Sequence, residues 1–112
     1  MNIINKNEGT YIPYTLQGNI LSFADELTLF LNKYERDNPV HIDICQDKFG
    51  NLVMGVIPGV AETYVAEIDI PAREYTEVDS GEVDDYGNEI YTSTPVPYNP
   101  DNTTLTLWGL EE

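Results

Sequence analysis

His41, Asp43 and Cys45 occupy alternate positions in the run Val40-His41-Ile42-Asp43-Ile44-Cys45. Alternation in an extended chain puts such side chains on one face, and imidazole, carboxylate and thiolate are all zinc ligands by type. The rise of a strand separates i, i+2 neighbours by about 6.5 Å, too far for three of them to hold one ion without distortion. The chain has no second histidine or cysteine to complete a set. The expectation is the polar face of a half-buried strand, with no metal and no cofactor. A Cys-His nucleophile fares no better, because nothing beside Cys45 would lower its pKa, and a free cysteine usually behaves as a small buried hydrophobe. Paired carboxylates carry no acid-base signal here, since twenty acids guarantee close pairs by chance. Asp84-Asp85 lacks the calcium-loop grammar, and no glycine loop suited to phosphate is present. A non-enzymatic protein is expected.

The distribution of charge is more informative than any motif. The 112 residues include 20 Asp and Glu against 5 Lys and Arg, a formal charge of −15. Residues 1–61 carry seven acids and four bases, a net of −3. Residues 62–112 carry thirteen acids and the single base Arg73, a net of −12. Such a balance disfavours direct contact with nucleic acid or an anionic membrane, both of which need cations to neutralise phosphate. A basic protein, of a host or of a phage, is the partner this chemistry suits. The residues expected to meet it are Glu67, Asp69, Glu74, Glu77, Asp79, Glu82, Asp84, Asp85 and Glu89, together with Tyr86 and Tyr91. Tyrosine buries a large area at small entropic cost and is enriched at interfaces. Homo-oligomerisation is a further expectation from the tyrosines and edge strands.

Composition sets the frame for these residues. At 41% hydrophobic and 22% charged, the chain falls in the globular range, and residues 1–112 read as one domain. No apolar run approaches the roughly 18 residues of a membrane span. The single cysteine excludes an intramolecular disulfide. With no basic and apolar leader at the start, the cytoplasm of a host cell or a phage particle is the expected location.

The elements that must position the acids follow from periodicity and turn residues. Met1–Thr10 reads as a frayed end or short edge strand, and Tyr11–Leu16 as an edge strand limited by Pro13. Phe23, Leu27, Phe30, Leu31 and Tyr34 recur at helical spacing. Ser22 as N-cap, Asp25 and Glu26 in the first turn, and Asn38-Pro39 as a stop complete an amphipathic helix. Val40–Cys45 then alternates. Asp47-Lys48-Phe49-Gly50 turns the chain into Leu52–Ile57, apolar enough for a central strand. Pro58-Gly59 leads into a strand over Glu62–Ile70, with Tyr64, Ala66, Ile68 and Ile70 on one face. Ala72–Val78 continues as a bent or bulged strand. Asp84-Asp85-Tyr86-Gly87-Asn88 repeats the pattern of Asp47–Asn51, which suits a type I turn closed by a glycine bulge. The acidic region 74–94 is therefore a second hairpin, followed by a stiff connector over 95–100 and a final strand over Thr103–Trp108. The fold class expected is α+β: one amphipathic helix packed on a mainly antiparallel sheet of about five or six strands, with the helix stripe, Val40, Ile42, Ile44, Leu105 and Leu107 as its core.

Two functions from different classes fit, and the first is preferred because a net of −12 in the second half is more than solubility requires. In the first, the protein is an inhibitor that occupies the basic nucleic-acid-binding surface of a host defence protein. Glu67/Asp69, Glu77/Asp79 and Glu82/Asp84 are each two apart, about 6.5 Å along a strand, commensurate with alternate phosphates of a duplex. In size and charge the chain resembles the DNA-mimic, anti-CRISPR-like inhibitors of phages and mobile elements. In the second, it is a structural subunit. The Asp-Asp-Tyr-Gly-Asn tip, the proline-rich connector and the closing Thr-Leu-Thr-Leu-Trp strand resemble those of small acidic phage and prophage proteins over Glu74–Leu110. That resemblance implies a virion or assembly component making protein–protein contacts through tyrosines and strand edges.

Overall fold

Where the sequence pattern indicates a helix, the chain makes a β-hairpin. A computed structural model describes residues 1–55 and 61–110. Among them it has β1 (Asn2–Asn5), β2 (Tyr14–Gln17), β3 (Ile20–Phe23), β4 (Leu27–Phe30), β5 (Val40–Asp47), β6 (Leu52–Met54), β7 (Ala61–Ile70), β8 (Tyr75–Val83), β9 (Glu89–Pro95) and β10 (Thr104–Leu107). The helical content among these residues is two single 3-10 turns, Leu31–Lys33 and Pro100–Asn102. The α+β expectation is therefore incorrect. The protein is mostly β: among the described residues there are three sheets in place of one sheet of five or six strands, and no amphipathic helix.

The reason lies in two periods that the same residues satisfy. A helix would bury Phe30 and expose Leu29, yet Leu29 is 1% exposed and Phe30 46%. The buried set is instead Leu21 and Phe23 on β3, then Leu29 and Leu31, an alternation of two. Asp25, expected to cap a helix, sits with Ala24 at the centre of the hairpin turn. Both have left-handed φ, 55° and 52°, and the Glu26 N–H donates to the Phe23 carbonyl at 2.9 Å. Two consecutive left-handed residues make a type I′ turn, whose twist suits a tight hairpin. Ser22 faces Thr28 across the pair, their hydroxyls 3.2 Å apart, and so caps no helix. Gly18, at φ 60°, opens the tight turn from β2 to β3.

The larger sheet has the order β1-β10-β7-β5-β6, antiparallel throughout except for β1 beside β10. The smaller is the meander β2-β3-β4. Both contribute to one core: Leu21, Phe23, Leu29 and Leu31 from the small-sheet segment, and Ile42, Ile44, Ala66, Ile68, Ile70, Leu105 and Leu107 from the large sheet. Val40 is only partly buried against it. The Glu26 carboxylate accepts from the Leu52 N–H at 3.2 Å, a tie from the small-sheet turn to the large sheet. β6, expected to be central, is an edge strand. In β7 the register slips, Ile44 facing Ala66 and Cys45 facing Tyr64, which leaves Val65 as a bulge. Tyr64 thus leaves the face of Ala66, Ile68 and Ile70 and is exposed. The turn expected at Pro58-Gly59 lies outside the described residues.

The third sheet, β8-β9, stands apart. Every residue of both its strands is exposed. Nine strand residues extend about 30 Å, and the molecule measures 68 × 26 × 23 Å. Its radius of gyration is 19.2 Å, against about 13 Å for a compact chain of this length. The acidic hairpin is an arm projecting from a β body.

Candidate protein-docking site

The arm's base is fixed by the cation nearest to it in sequence. The Arg73 guanidinium donates to the Glu35 carbonyl at 3.0 Å and lies 3.5 Å from the Glu35 carboxylate and 3.3 Å from that of Asp37. The Tyr75 hydroxyl donates to the same Asp37 oxygen at 2.5 Å. Backbone bonds from Arg73 N–H to the Arg36 carbonyl and from Val96 N–H to the Glu74 carbonyl complete the anchor. With Arg73 engaged at the body, the arm from Tyr75 to Pro95 carries six carboxylates and no basic residue.

The register then sorts these side chains. Glu77 faces Ser93, Asp79 faces Tyr91 and Tyr75 faces Pro95. Directly paired residues share a face, so Tyr75, Glu77, Asp79, Glu89 and Tyr91 form an acidic, tyrosine-bearing surface. The Tyr91 hydroxyl donates to Glu89 at 2.7 Å. Thr76, Val78, Ile90, Thr92 and Thr94 form the opposite face, which is uncharged and rich in β-branched side chains. Ser80, Gly81 and Glu82 make a bulge, with Gly81 at φ 80° and its N–H bonded to the Asp79 carboxylate at 2.9 Å.

At the tip the repeated turn is built in the same way as its counterpart. Asp84 accepts from the Tyr86 and Asn88 N–H groups at 2.9 Å, as Asp47 does from Phe49 and Asn51 at 2.9 Å. Gly87 and Gly50 take φ 80° and 82°. Accepting the N–H groups of Asn88 and Tyr86 holds the Asp84 carboxyl below the usual aspartate range. Tyr86 is 91% exposed at the turn. Of the residues expected to meet a partner, Glu77, Asp79, Glu82, Asp84, Asp85, Tyr86, Glu89 and Tyr91 are all exposed on the arm, and Glu74 is exposed at its base.

Glu67 and Asp69 are elsewhere. They lie on β7, in the middle of the large sheet, directly opposite Asp43 and His41. The imidazole joins all of them: Nδ1 is 2.5 Å from Asp69, and Nε2 is 2.7 Å from Asp43 and 3.5 Å from Glu67. The hydrogen bond to Asp69 is the main reason that the His41 pKa is raised; burial opposes it, and the hydrogen bond to Asp43 adds a smaller rise. The remaining Glu67 oxygen accepts from Trp108 Nε1 at 2.8 Å, and Trp108 stacks on Tyr64. Cys45 is buried, which pushes its thiol pKa up and makes it a poor nucleophile. Reading along one strand groups His41 with Asp43 and Cys45 and misses this cluster, because Glu67 and Asp69 are cross-strand neighbours. The signal available was a His-x-Asp and a Glu-x-Asp alternation on two strands expected to share a sheet.

No helix among the described residues is long and apolar enough to cross a membrane. Comparison of the chain with protein-family models, with characterised proteins and with solved structures returns no match.

Proposed function

We propose that this protein is a non-catalytic binding module that docks a cationic protein through its β8-β9 arm. One observation carries the reading: the two paired strands are exposed along their whole length while bearing acids and no bases. A two-stranded hairpin in water is marginal by itself. Like charges along it add repulsion that a cationic surface would relieve. An assembly role, as a subunit of a phage particle or of its assembly pathway, is the reading the geometry favours. The arm offers a charged face for steering and a neutral β-branched face for packing, and its strand edges are open to strand addition. Mimicry of nucleic acid is the second reading, favoured by the Glu77/Asp79 spacing. It is weakened because Glu67 and Asp69 belong to the body cluster and add nothing to the arm's row of carboxylates.

The test uses the protein as bait at about 50 mM and about 500 mM salt, since screening weakens exposed charge pairs. Reversal of Glu77, Asp79, Glu82 and Asp84 to Lys is expected to abolish capture of the partner while the body stays folded. Truncation of Tyr86 and Tyr91 to Ala is expected to weaken an assembly contact at either salt. Capture untouched by both sets would refute docking through the arm, and a partner displaced competitively by duplex DNA would favour mimicry over assembly.

A further inference from the structure

We infer that His41, Asp43 and Glu67 form a site for a divalent transition-metal cation of the zinc type on the outer face of the large sheet. Asp43 and Glu67 are opposed in register on adjacent strands. Like charges so placed destabilise a sheet unless something positive lies between them, a place that the protonated His41 ring fills and that a cation bound to its Nε2 can take over. Their oxygens and His41 Nε2 all lie within 4.8 Å of one another. Ligands about 2.0–2.2 Å from a common zinc ion stand about 3.3 Å apart in a tetrahedron. The present separations from Nε2, 2.7 Å to Asp43 and 3.5 Å to Glu67, bracket that value.

The surroundings orient these groups as a metal site requires. Asp69 binds Nδ1 at 2.5 Å, which directs the other imidazole nitrogen towards Asp43 and Glu67. This carboxylate–imidazole relation fixes the ring in many metal sites. Trp108 Nε1 holds one Glu67 oxygen and leaves the other, Oε1, for the cation. Asp43 and Glu67 are each 23% exposed and His41 46%, so solvent completes the coordination from outside. Three carboxylates with a neutral imidazole carry −3, and a divalent ion reduces this to −1. Nitrogen with carboxylate oxygen suits zinc or its neighbours better than magnesium, which prefers oxygen alone.

Trp108 is the only tryptophan, so its emission reports on the site directly. Titration of the full chain with zinc chloride, followed by calorimetry and tryptophan emission, should show one site per chain. Cobalt(II) in its place should develop visible absorption from a nitrogen-ligated ion. His41→Gln should weaken zinc binding at least about 100-fold, and Asp69→Asn about 10-fold through loss of ring orientation. The arm variant Glu77→Gln/Asp79→Asn/Glu82→Gln should bind zinc like the parent. In the unsubstituted protein, the His41 ring nitrogens should shift on adding zinc and not on adding magnesium, a readout independent of whether any variant folds. Equal binding of magnesium and zinc, or zinc binding indifferent to His41→Gln but lost in the arm variant, would overturn the inference. Either result would leave the histidine a simple ion-pair partner.

Discussion

Excising the arm separates the docking element from the body that carries it. The paired residues Thr76 and Thr94 mark a place where Asn-Gly can close the ribbon as a type I′ turn, removing the seventeen residues 77–93. The Arg73 anchor and the Tyr75–Asp37 bond remain. None of the removed residues is buried, and the hydrogen bonds of their side chains run within the arm. The loss to the body is therefore expected to stay within about 1 kcal/mol. With an unfolding entropy of about 2.1 cal/mol/K per residue, the remaining chain of about 97 residues changes its Tm by about 5 °C per kcal/mol. The shortened protein should melt within about 5 °C of the parent in calorimetry and keep its near-ultraviolet circular dichroism. Six carboxylates also leave with the arm, taking the formal charge from −15 to −9, and the lower self-repulsion acts in the stabilising direction. Capture of a cationic partner should be lost. A fall in Tm beyond about 10 °C would show the arm to be part of the cooperative fold, and retained capture would place the docking surface on the body.

Leu29→Ala should cost about 3 kcal/mol, because Leu29 is 1% exposed, and lower the Tm by about 13 °C at about 2.1 cal/mol/K for each of the 112 residues. Phe30→Ala, at 46% exposed, should cost no more than about 1 kcal/mol; the reverse order by thermal denaturation would restore the helical reading. Asp47 and Asp84 should titrate below the usual 3.8 by carboxyl-carbon NMR, since N–H groups of their turns bind the ionised form. A depressed folded-state pKa stabilises each turn above the unfolded value and is lost as pH falls through the folded one, so titration of both at or above 3.8 would contradict the turn geometry.

What could be read in the sequence was local. Asp47–Asn51 and Asp84–Asn88 specify their turns by residue type, since Asp accepts the following N–H groups and Gly takes the positive φ. From those turns follow the β5-β6 hairpin, the arm and its acidity, and from alternation follows β10. Tertiary burial decided the rest. Leu21–Leu31 satisfies a period of 3.6 and a period of 2, and the large sheet offered a partner for the face that contains Leu29 and excludes Phe30. Helix propensity is worth only tenths of a kcal/mol per residue, against about 1.5–3 kcal/mol for each large apolar side chain buried, so the non-local term prevailed. Register likewise belongs to the folded sheet: the bulge at Val65 and the pairing of β5 with β7 set His41 among Asp43, Glu67 and Asp69, residues up to 28 positions apart. A strand's sequence fixes which side chains share its face. Only pairing fixes which of them meet across to the next.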